Sequence, residues 1–105
     1  MNRFEISKNS LESLVSHTID ADKQIRLHHK KYLNFIPNKP LRLKFISKAR
    51  VSIIACVETV FGKDIVKVVD KAAESIRKNL EEYSSIKVSS VQLRVKDVFN
   101  ETAND

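Results

Sequence analysis

The chain has 105 residues, with 19 Lys or Arg against 13 Asp or Glu, one Cys, one Gly and two Pro. That length supplies one modest core and not two. A single cysteine rules out an internal disulfide or a thiol metal cluster within the chain, and a single glycine rules out a glycine-rich phosphate loop or dinucleotide fingerprint of the usual kind. No apolar run is long enough to span a bilayer, and no charged start leads into an apolar signal segment. The expectation is a cytoplasmic protein in a reducing compartment.

Taken in chain order, residues 3–7 alternate briefly, with Phe4 and Ile6 on one side, as a short first strand would. Asn9 and Ser10 offer capping side chains, with Glu12 three residues after Asn9, and Leu11, Leu14, Val15, Thr18 and Ile19 form a helical stripe ending near residues 20–22. Residues 23–40 read as a long basic connection with some local order, closed by Pro37 and Pro40. Residues 41–45 alternate cleanly, and Ser47, Lys48 and Ala49 turn the chain into residues 50–61. There Val51, Ile53, Ile54, Val57, Thr59 and Val60 are β-branched and favour a strand with two apolar faces, which suits a central position. Gly62 closes it.

Asp64 caps a helix reaching Tyr83, whose apolar positions Ile65, Val68, Val69, Ala72, Ile76, Leu80 and Tyr83 recur at helical spacing. After Ser84 and Ser85 the period becomes two: Ile86, Val88, Val91, Leu93 and Val95 alternate with Lys87, Gln92, Arg94 and Lys96. The expected fold is one α+β domain over residues 1–99, with two helices on one face of a three- or four-stranded antiparallel or mixed sheet. Its order is strand, helix, strand, strand, helix, strand, and residues 100–105 form a frayed acidic tail. The rival is all-helical, a histone-like pair over residues 47–83, but its long helix and link would be several residues too long.

Charge is segregated. Lys23, Arg26, Lys30, Lys31, Lys39, Arg42, Lys44, Lys48 and Arg50 fall in residues 23–57 without one Asp or Glu, while the other 70 residues carry ten basic and thirteen acidic groups. Nine like charges repel, and a polyanion would relieve that by displacing condensed counterions. Arg26, Lys30, Lys31, Arg42, Lys44 and Arg50 are therefore the candidate contacts to a nucleic acid or an anionic membrane surface, with Tyr32 and Phe35 placed to stack on unpaired bases. The plain alternative is a solvated face balanced by the acidic helices.

No active site is legible. His17, His28 and His29 lack a carboxylate or thiol spaced to complete a metal site, so neither metal nor cofactor is expected. Cys56, among Ile54, Ala55 and Val57, reads as a small buried hydrophobe. Asp20 with Asp22, and Glu81 with Glu82, read as solvated helix charges without calcium-loop or glycosidase spacing.

Residues 51–62 (Val-Ser-Ile-Ile-Ala-Cys-Val-Glu-Thr-Val-Phe-Gly), then 63–69, 76–83 and 86–98, together resemble the alkaline-shock-protein family of envelope stress proteins. In that family a strand ending in Tyr-Gly or similar leads to a helix, a turn and a last strand of alternating apolar residues. Residues 4–7 and 10–19 are similar to its opening strand and helix. Ser85 stands where the family tends to place glycine, and residues 23–40 are basic where small residues are usual. The resemblance implies a small non-enzymatic stress-response scaffold, cytoplasmic or held at the inner face of the cell membrane by a partner protein, and open to homo-oligomers. The alternative is a basic RNA- or DNA-binding regulator.

Overall fold

The computed structural model describes residues 7–28 and 39–100. In chain order they form α1 (Lys8–Asp20), β1 (Ile25–Leu27), β2 (Leu41–Ser47), β3 (Arg50–Val60), α2 (Ile65–Tyr83) and β4 (Lys87–Phe99). The architecture is α+β, as expected. The expected opening strand falls largely on residues 3–6, outside the described residues. Ser7 is instead the N-cap of α1, its Oγ accepting from the Ser10 N–H at 3.1 Å. That corrects the capping expected of Asn9 and Ser10, which lie inside the first turn.

The other three strands all pair with β3. β1 and β2 are both antiparallel to β3 and share one of its edges end to end, β1 opposite Val57 to Thr59 and β2 opposite Arg50 to Ala55. β4 runs parallel to β3 along the other edge, from Arg50↔Lys87 to Val60↔Phe99, so the sheet is mixed. The strand expected at residues 50–61 is therefore central, and the helical rival for residues 47–60 is overturned. Pairing on both edges satisfies the backbone of this β-branched run, but only one of its two expected apolar faces is covered by a core layer.

The period of two on β3 divides the molecule into layers. Val51, Ile53, Ala55 and Val57 are buried on one side against Leu11, Val15 and Ile19 of α1 and Val68, Ala72, Ile76 and Leu80 of α2. Both helices present residues four apart, which line up as a single stripe. Ile25, Leu27, Leu41, Leu43 and Val88 complete the same cluster from the flanking strands. The opposite side, carrying Ser52, Ile54, Cys56 and Glu58, has no helix over it among the described residues.

β1 lies inside the interval read as a connection. Its N-terminal approach is an Asx-type turn, the Asp22 Oδ1 accepting from the Gln24 N–H at 2.9 Å. Among the described residues, no helix is long and apolar enough to cross a membrane.

Candidate functional site

The uncovered side of the sheet is where the chain's positive charge gathers. β2 contributes the exposed Arg42 and Lys44 at the alternate positions to buried Leu41 and Leu43. β4 contributes Arg94 and Lys96, Arg94 standing opposite Cys56 in the parallel register. Arg42 is opposite Ile54 from the other edge. Two basic strands thus flank Ile54 and Cys56 of β3. Between them lies a cleft of about 290 Å³ lined by His28, Lys39, Pro40, Arg42, Ile54, Cys56, Arg94 and Lys96.

His28 and Pro40 enter the cleft because the backbone of Cys56 ties both ends of the flanking edge. The His28 N–H donates to the Cys56 carbonyl at 2.8 Å, and the Cys56 N–H donates to the Pro40 carbonyl at 2.7 Å. These bonds bridge the junction where β1 stops and β2 begins. Cys56 itself is half-buried on the cleft floor. This corrects the reading of it as a buried hydrophobe: the sheet has an apolar layer on one side only, and Cys56 points to the other.

Glu58 bounds the cleft on one side without lining it. Its Oε1 accepts from Arg26 Nε at 2.8 Å and its Oε2 from His28 Nδ1 at 2.7 Å. Burial raises the carboxyl pKa, but those two hydrogen bonds and the charge of Arg26 outweigh it and hold Glu58 below its ordinary value. Arg26 also covers the Phe99 ring, its Cζ 4.1 Å from the centroid, so it is engaged from two sides.

Of the candidate contacts, Arg42 and Lys44 share the uncovered face with Arg50, which begins β3 two residues before Ser52. Arg26 is ion-paired on that face. Lys30 and Lys31, with Tyr32 and Phe35, lie outside the described residues. In the sequence Arg94 and Lys96 show only as the wet side of a strand, since alternation shows that a side chain faces water but not which strand lies beside it. Lys96 stands at a register shift between Val95 and Asp97. His28 and Cys56 are joined through the backbone alone; the imidazole bonds Glu58, and no side-chain hydrogen bond links it to Cys56 Sγ.

A second feature lies at one end of the molecule, where β3 and β4 finish and α2 starts. Phe61 is 69% exposed and Val66 67%, and Ile65 and Val98 are also exposed. The Phe61 N–H donates to the Phe99 carbonyl at 2.7 Å, which keeps this end joined. No family model matches the chain, and no curated protein or solved structure matches it either.

Proposed function

We propose that the protein is a non-catalytic scaffold or adaptor of the alkaline-shock type, acting by contact with a protein partner. The observation that carries this reading is the set of exposed apolar side chains where β3 passes into α2 and β4 finishes, Phe61, Ile65, Val66 and Val98. Isolated surface hydrophobes are ordinary, but several gathered at one corner are costly in water unless a partner covers them. The non-catalytic part rests on the side chains of His28 and Cys56, which are not hydrogen-bonded to each other and so leave the imidazole and its orienting carboxylate without a paired nucleophile. A membrane-anchored partner would place the protein at the inner face of the cell envelope.

The test is crosslinking capture with wild type and a Phe61→Ser, Val66→Ser variant, followed by reconstitution with the purified partner. Both positions are exposed, so the variant should fold. A partner that binds wild type directly and loses about tenfold or more in affinity to the variant supports the reading. Equal binding by the two proteins would place the contact elsewhere.

The nucleic-acid alternative is favoured by a different observation, the assembly of Arg42, Lys44, Arg94 and Lys96 on one open sheet face. It requires that affinity for a single-stranded oligonucleotide fall steeply with salt.

A further inference from the structure

We infer that the cleft on the uncovered sheet face is a discrete binding site for a phosphate monoester group. This goes beyond the scaffold reading and uses none of the apolar end.

Its walls bear Arg42 on β2 and Arg94 and Lys96 on β4, with Lys39 at the entry to β2. Among the described residues, no carboxylate lines it. Glu58, the nearest acidic side chain on β3, is already committed to Arg26 and His28. The four cations are therefore not compensated within the cleft, and an anion entering it gains their attraction without displacing an internal partner.

The arrangement selects among anions. β2 and β4 stand on opposite sides of β3, roughly 10 Å apart as two strand spacings. An anion held between them must offer acceptors toward both walls at once. A carboxylate presents its two oxygens along one edge. A phosphate monoester presents three oxygens around a tetrahedral centre and carries close to two charges, so it can accept from a guanidinium on each side. The floor suits the other half of such a ligand. Ile54 and Cys56 offer a weakly polar surface to the group that the phosphate esterifies, and Pro40 adds a rigid apolar rim. The cleft volume of about 290 Å³ is at the small end of ligand sites, which fits one esterified phosphate better than a length of strand.

A small molecule and the end of a nucleic-acid strand both carry such a phosphate; the chemistry recognised is the same, and the experiment separates them. Calorimetric titrations at low salt would use adenosine monophosphate, adenosine, and one short oligonucleotide with and without a 5′ phosphate, each with inorganic phosphate as competitor. The expected result is saturable binding of adenosine monophosphate, none of adenosine, and competition by inorganic phosphate. Arg94→Gln should weaken binding roughly tenfold, as loss of a charge-assisted hydrogen bond does. Lys78→Gln, which removes an exposed charge on α2, should leave it unchanged.

A preference of the protein for the 5′-phosphorylated oligonucleotide over its unphosphorylated twin would assign the group to a strand end; binding of the monophosphate alone would assign it to a small molecule. Alkylation of Cys56 by a neutral reagent gives a second readout, slowed by saturating adenosine monophosphate in wild type and not in Arg94→Gln. Absence of saturable monophosphate binding would overturn the site. Equal losses in Arg94→Gln and Lys78→Gln would also overturn it, since they would show only diffuse attraction. Neither result bears on the apolar end, whose test uses other residues and another ligand.

Discussion

Glu58 shows how one residue gains its role from a distance in sequence. It follows directly on the acid-free interval, and its partners Arg26 and His28 are about thirty residues away. Its side chain is 13% exposed while that of Arg26 is 57% exposed, so the pair is screened on the arginine side. Because the folded pKa lies below the ordinary 4.5, the ionised form contributes stability above the unfolded pKa. That contribution is lost as pH falls through the folded value. Glu58→Gln is expected to cost about 1 kcal/mol at pH 7, discounted for that screening. Urea unfolding at a series of pH values should show the gap to wild type narrowing below about pH 4.5. A gap that stays constant down to pH 3 would mean that charge plays no part. The acid-free run was visible in the sequence; the carboxylate that closes it was not tied to Arg26 by any local pattern.

Elements with their own local signals were the most legible. α2 starts where Asp64 accepts from the Val66 N–H at 3.0 Å and the Lys67 N–H at 3.4 Å, satisfying donors that the first turn leaves open. The turn before it uses the only glycine, with φ at +92°, a conformation that a side chain disfavours. Asp64→Ala is expected to cost about 1 kcal/mol, read as a drop of roughly 5 °C in Tm, whereas Asp64→Ser should recover most of it. An unchanged Tm for the alanine variant would show that packing alone sets this helix start. β1 was illegible for the opposite reason. Three residues hold too little periodicity to register, and Ile25 and Leu27 become a strand only because β3 offers them an open edge and the core accepts their side chains. The edge of β4 is protected by contacts equally hidden in sequence. Glu81 Oε2 accepts from the Val88 N–H at 2.9 Å, and Arg77 Nη1 donates to the Val88 carbonyl at 2.6 Å, so α2 occupies backbone groups that another strand would pair with.

At the scale of the molecule, one cluster holds both helices to all four strands. Ile76 sits in it fully buried between α2 and the sheet. Ile76→Ala should lose about 3 kcal/mol and lower Tm by roughly 10 °C or more, from lost transfer energy and the cavity left behind. A loss under about 1 kcal/mol would mean that the layers close over the gap. The sequence by itself determined the helix stripes, the strand character of residues 50–60, the single domain-sized core and the segregation of charge, because each follows from periodicity or composition along the chain. Only the tertiary structure decided which charges meet. α2 is 19 residues long, about 28 Å of helix, and carries the chain back toward the start of β3, so β4 runs parallel to it. The edge it takes is the one that β1 and β2 leave free. That pairing sets Arg94 and Lys96 across β3 from Arg42, and so builds the cleft from strands some fifty residues apart. Strand partnership is settled by packing and by which edge remains open, and neither is written in the local pattern.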